Sequence, residues 1–170
     1  MNLIYKIVLI IFIGIASCRG KGSAKDEPVT SARSESEIDE IKLTDLDNRP
    51  IDLKQYKGKT IFINFWATWC KPCLEEMPTI QKAKEMLKNE NIEFLFASDE
   101  TIEQIGNFKK AHAYDFNFGR AENLAELNVM ALPTTFIFNA AGKLVFNEMG
   151  YRQWDDKSNI EIIKNIIKEK

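Results

Sequence analysis

Apolar positions along this chain follow two rhythms. Thr60-Ile61-Phe62-Ile63-Asn64-Phe65-Trp66 is a nearly unbroken run of β-branched and aromatic residues, the pattern of a strand buried on both faces. Ile92 to Ala97 repeats it. Between them Leu74, Met77, Ile80, Ala83 and Leu87 recur at helical spacing and predict a helix from about Pro72. Pro72 suits its first turn, where a missing N–H costs nothing, and Pro78 predicts a kink. Ile102, Ile105 and Phe108 predict a second amphipathic helix ending near His112, and Asn123 to Leu127 a further helical turn or two. Ile160, Ile163, Ile166 and Ile167 make one face of a C-terminal helix. Ile41–Leu43 and Ile51–Leu53 read as a hairpin across a polar turn, and Tyr56-Lys57-Gly58-Lys59 as a second turn before the strand at Thr60. Thr135–Phe138 and Lys143–Phe146 form another hairpin around Asn139-Ala140-Ala141-Gly142. The order ββ-β-α-β-α-β-β-α implies an α/β fold: a mixed sheet with helices on both faces.

The N-terminal part behaves differently. Ile7 to Ala16 is continuously apolar apart from Gly14, too short for a bilayer span of about twenty residues but suited to a signal peptide. Ile15-Ala16-Ser17-Cys18 ends this segment in small residues before a cysteine and resembles the lipobox of bacterial lipoproteins. That resemblance implies a signal peptide over residues 1–17, cleavage before Cys18 and acylation of Cys18. The competing reading is an uncleaved anchor reaching back to Leu3. Both place the remainder outside the cytoplasm, in an oxidising compartment. Residues 18–37 are rich in Ser, Gly, Ala, Lys, Asp and Glu without apolar periodicity, the composition of a flexible tether. Residues 38–170 have the length of one domain. With 23 basic and 25 acidic side chains and no basic stripe, the chain offers nucleic acid no footprint.

The candidate chemistry is Trp69-Cys70-Lys71-Pro72-Cys73, a Cys-x-x-Cys pair between the buried strand and the first helix. Unpaired N–H groups and the positive end of the helix dipole favour a thiolate at Cys70, with Cys73 one turn inside as its resolving partner. Structural zinc needs four ligands, yet the chain has three cysteines, one of them Cys18, and the single histidine His112. Covalent haem needs His after the second cysteine, where Leu74 stands. No metal and no cofactor are therefore expected. A purely structural disulfide closing so short a loop would restrict the unfolded chain little.

Phe65-Trp66-Ala67-Thr68-Trp69-Cys70-Lys71-Pro72-Cys73, then Glu76 and Pro78, then Leu132-Pro133-Thr134-Thr135-Phe136 and Gly142, resembles the TlpA/ResA-type thioredoxin-like thiol–disulfide oxidoreductases, from about Ile41 onward. The resemblance implies a thioredoxin-like fold with an N-terminal β-hairpin and a cis Pro133 facing the disulfide. It also implies that Leu132, Pro133 and Thr134 bind an extended substrate, with Trp69 shaping the docking surface. Thioredoxin has a buried aspartate where this chain has Asn64, which cannot transfer a proton. Glu76, three residues past Cys73, is the acid–base residue the resemblance offers instead, against the alternative of a solvated helix charge such as Glu75. Trp66 is expected in the core, His112 at a helix end.

The resulting expectation is a monomeric, lipid-anchored envelope enzyme facing the periplasm, reducing disulfides of exported proteins. By resemblance it is recharged by a thiol-transferring membrane protein and serves cytochrome c maturation in some relatives. A thioredoxin-fold peroxidase and a non-catalytic binding module are the alternatives.

Overall fold

The computed structural model describes residues 37–169. The signal peptide, Cys18 and the tether expected over residues 18–37 lie outside them, save Glu37. A seven-stranded mixed sheet runs in the order β2-β1-β5-β4-β3-β6-β7. Its strands are β1 (Leu43–Thr44), β2 (Pro50–Ile51), β3 (Thr60–Phe65), β4 (Ile92–Ser98), β5 (Asn117–Ala121), β6 (Thr134–Phe138) and β7 (Leu144–Met149). The helices are α1 (Lys71–Met86), α2 (Ile102–Ala111) and α3 (Lys157–Lys168), with 3-10 turns at Glu37–Glu40 and Leu53–Tyr56. β3, β4 and β5 run parallel, and the remaining pairings are antiparallel.

Alternation along the central strands divides the core. Phe62, Trp66, Phe94, Phe96, Phe118 and Ile137 face α1, α2 and α3. Ile61, Ile63, Phe65, Leu95, Phe136 and Phe138 face the 3-10 residues Ile38 and Leu53. Full burial of side chains of this size contributes about 1.5–3 kcal/mol each, so the two layers together hold the sheet against chain entropy. Thr101 starts α2 with a reciprocal cap: its hydroxyl accepts the Gln104 N–H at 3.2 Å, and the Gln104 side chain accepts the Thr101 N–H at 3.1 Å.

Three expectations change. The N-terminal hairpin exists but is shorter, with Leu43 opposite Ile51 and Thr44 opposite Pro50. Ile41 and Leu53 lie outside its strands and fill the core instead. β5 was not expected, because Asn117, Gly119 and Arg120 are poor strand formers. It forms because β4 and β1 flank it, and Gly119 allows the close approach: a Cβ there would stand 3.0 Å from the Thr44 carbonyl oxygen. Asn123–Leu127 is a hydrogen-bonded turn that goes no further, because Asn128 has φ 56°, in the left-handed region rather than the right-handed helical one. α1 continues through Pro78 to Met86 as one helix. Among the described residues, no helix is long and apolar enough to cross a membrane.

Candidate functional site

β3 ends at Phe65, and the chain then makes a turn, Ala67 to Cys70, closed by the Cys70 N–H on the Ala67 carbonyl at 3.1 Å. Cys70 is the N-cap of α1, with extended backbone angles and its sulfur accepting the Cys73 N–H at 3.3 Å. The sulfur thus occupies the place where the N-terminus of a helix satisfies one of its free donors. Cys70 and Cys73 are joined as a disulfide, with Cα atoms 5.3 Å apart. At the helix entrance Cys70 is only 4% exposed, against 0% for Cys73. Trp69, in contrast, is 73% exposed, and Trp66 is fully buried.

Glu76 lies one turn along α1 from Cys73. Its side chain is completely buried. Its Oε1 accepts the indole N–H of Trp154 at 2.6 Å and the backbone N–H of Arg152 at 3.1 Å, and its Oε2 accepts the Asn64 amide at 3.1 Å. Burial pushes its pKa up from 4.5 to about 7, against the pull of the hydrogen bonds from Trp154, Arg152 and Asn64 and of the Arg152 charge. Desolvation is the largest of these effects and outweighs the three donors, while the charge of the partly exposed Arg152 contributes least. Such a carboxyl exchanges protons near neutrality. The Arg152 guanidinium is itself held by Asn159 and by Glu148 at 2.9 Å, and it lies over the rings of Phe146 and Trp154.

The Leu132–Pro133 peptide is cis. Leu132 is half-buried and Thr134 buried, its hydroxyl on the Ala131 carbonyl at 2.6 Å. The Pro133 carbonyl accepts the Gly150 N–H at 2.7 Å. Gly150 has φ 100°, which glycine tolerates without a Cβ penalty. The segment that follows carries Arg152 and Trp154, so one stretch of chain binds both the Pro133 loop and Glu76. Sequence reasoning missed Arg152 and Trp154, since neither stands at a motif spacing from the cysteines. It also missed Glu100, whose carboxylate grips Thr68. His112 ends α2 as expected, its ring stacked on Phe108 at 4.0 Å.

The pattern of the AhpC/TSA family matches residues 35–147. The chain belongs to that family. It is 38% identical to the thiol-disulfide oxidoreductase ResA of Bacillus thuringiensis over 61% of this chain and 62% of that one, and so spans less than two thirds of that relative's length. In three dimensions it resembles a thiol:disulfide interchange protein of the thioredoxin family from Chlorobium tepidum, with a TM-score of 0.60 and 23% identity over 74% of this chain and 92% of that one. It also resembles an exposed lipoprotein thioredoxin, Etrx1, from Streptococcus pneumoniae, with a TM-score of 0.58 and 23% identity over 76% and 98%. These likenesses identify a thioredoxin-like fold.

Proposed function

We propose that the chain is a thiol–disulfide oxidoreductase that reduces disulfides of exported polypeptides. The observation that carries this reading is the Cys70–Cys73 disulfide at the first turn of α1, with the Cys70 sulfur in the N-cap position. The ResA likeness supports it. In the reduced protein, the Cys70 thiolate attacks one sulfur of a client disulfide; that bond breaks, and a mixed disulfide forms between Cys70 and the client. Cys73 then loses its proton toward the Glu76 carboxylate and attacks the Cys70 sulfur. The client's remaining sulfur leaves as a thiolate and takes up a proton. The client has gained two electrons, and Cys70 and Cys73 are again a disulfide. A dithiol donor must return those electrons, and we assign this to a thiol-transferring membrane protein. Apocytochrome c before haem attachment is one client class with the necessary cysteine pair.

Leu132, Pro133 and Thr134 are assigned to the client's extended backbone and Trp69 to its side chains. Residues 1–17 are assigned to a signal peptide and Cys18 to a lipidated terminus that tethers a monomeric residue 38–170 domain on the periplasmic side. Intact mass of protein extracted from membranes checks this: a mass retaining Met1 to Ser17, or a free Cys18 thiol, sinks it. The function itself is tested with dithiothreitol-reduced protein and insulin. Reduction of the insulin disulfides, lost in Cys70→Ser, is expected. Peroxide consumption without insulin reduction would move the reading to a peroxidase, and neither activity to a binding module.

A further inference from the structure

The turn that delivers Cys70 is held by a carboxylate that lies two residues past the end of β4. Thr68, the second residue of that turn, donates its backbone N–H to Oε2 of Glu100 at 2.6 Å and its hydroxyl to Oε1 at 2.5 Å. The Ser98 hydroxyl adds a third donor to Oε2 at 3.1 Å, and the Glu100 N–H returns to the Ser98 oxygen at 3.2 Å. Ser98 is the buried last residue of β4, and Glu100 is half-buried. Two bonds from one residue to the two oxygens of one carboxylate fix the orientation of a peptide unit as well as its position. A single bond would leave it free to swivel.

The chemistry of the clasp calls for a carboxylate. Three donors converge on it, and only an ionised acid presents two oxygens that both accept. Glutamine would turn an NH₂ toward one of them. The clasp also sits at a place of consequence, because Trp69 and Cys70 are the third and fourth residues of the same turn. We infer that Glu100 is a positioning residue, which pins Thr68 and thereby sets where the Cys70 sulfur and the Trp69 ring stand at the mouth of α1. The inference rests on the dithiol reading of Cys70 and Cys73.

The test uses the full chain and the variants Glu100→Ala, Glu100→Gln, Thr68→Val and the double variant Glu100→Ala/Thr68→Val. Two readouts are taken. One is the equilibrium constant of the Cys70–Cys73 couple against dithiothreitol. The other is the pH profile of Cys70 alkylation by iodoacetamide in reduced protein, with the modified cysteine located by mass. A freed turn populates the N-cap geometry less, so the thiolate at Cys70 loses the Cys73 N–H part of the time. Glu100→Ala should slow alkylation near neutral pH by about three- to tenfold, the range of an ordinary hydrogen bond, and move the profile to higher pH. Thr68→Val, which keeps the N–H bond, should do less, and Glu100→Gln should fall between Glu100→Ala and wild type. The double variant should be no worse than Glu100→Ala. Losses that add in the double variant, or a lowered unfolding midpoint with both dithiol readouts unchanged, overturn the inference. Thr68→Val decides the matter if Glu100→Ala does not fold. A wild-type chain that fails to exchange with dithiothreitol refutes the dithiol reading itself, a result distinct from wild type and variants exchanging alike.

Discussion

Asn64 donates through its amide nitrogen to both Glu76 and Thr135, each at 3.1 Å, while its own carbonyl oxygen lies buried without a hydrogen-bond partner among the described residues. Rotating that amide end for end would present the oxygen to Thr135 and to Glu76. A protonated Glu76 and the Thr135 hydroxyl can both donate to it. Asn64 therefore has a suitable atom to offer Glu76 in either protonation state, where an aspartate at this position would face an ionised Glu76 as a second buried charge.

The first prediction concerns pH. With its carboxyl raised to about 7, folded Glu76 retains a proton that the unfolded chain releases near 4.5. Stability from this group is thus full below pH 4.5 and falls as pH rises toward 7, by roughly 3 kcal/mol in all. The surface carboxylates Asp45 (half-buried), Asp115, Glu122 and Glu126 are shifted down and give the opposite trend at lower pH. Comparing Glu76→Gln with wild type isolates the one group. Urea midpoints should fall between pH 5 and 8 more in wild type than in Glu76→Gln, and equal changes would count against a buried titrating carboxyl. Glu75→Gln, which removes a 3.8 Å surface contact with Lys71, the only ion pair of Glu75 among the described residues, should behave as wild type.

Cys70 and Cys73 should separate in trapping. Cys73→Ser is expected to accumulate mixed disulfides with client proteins, visible on non-reducing gels and removed by dithiothreitol. Cys70→Ser should accumulate none. Equal trapping by both variants would reverse the assignment of attacking and resolving sulfur.

Trp154→Phe keeps a ring against Phe62, now 4.7 Å away edge to face, but removes the N–H that Glu76 accepts. The lost bond should cost about 1–2 kcal/mol and lift the Glu76 carboxyl further, since that bond lowers it. The pH–rate profile for resolving the mixed disulfide should move to higher pH. An unmoved profile with the same loss of stability would confine Trp154 to packing.

Gly119→Ala should strain the seam between β5 and β1, because the new methyl would meet the Thr44 carbonyl at 3.0 Å and Ile51 at 3.2 Å. Overpacking of this kind costs about 1–3 kcal/mol. Thermal unfolding should shift down by several degrees while the equilibrium of the cysteine pair with dithiothreitol is unchanged. A silent substitution would show that the hairpin moves aside freely.

The pair Cys70–Cys73, the helix behind it and the strand ahead of it were legible because each is local: spacing, periodicity and a run of β-branched residues. Glu76 was legible as a residue but not as a buried one, since its burial depends on Trp154 and Arg152, which reach it from the far end of the chain. β5 was illegible for a related reason. Asn117, Gly119 and Arg120 acquire strand geometry from their neighbours rather than from their own preferences. The Glu100 clasp left no motif, because two residues thirty-two positions apart meet only once β3 and β4 pair.

The antiparallel ladder of β3 and β6 sets Asn64 opposite Thr135 and Phe65 opposite Thr134. Side chains alternate along a strand, so slipping β6 by a single residue would send Thr135 to the opposite face and bring Phe136 or Thr134 toward Asn64 and Glu76. The same slip would carry Pro133 along by one position. The two halves of the proposed site, although about sixty residues apart in the chain at Cys73 and Pro133, would be aligned by this register like marks on a vernier scale. An insertion or deletion within β6 would misalign them while leaving every proposed functional residue in the chain.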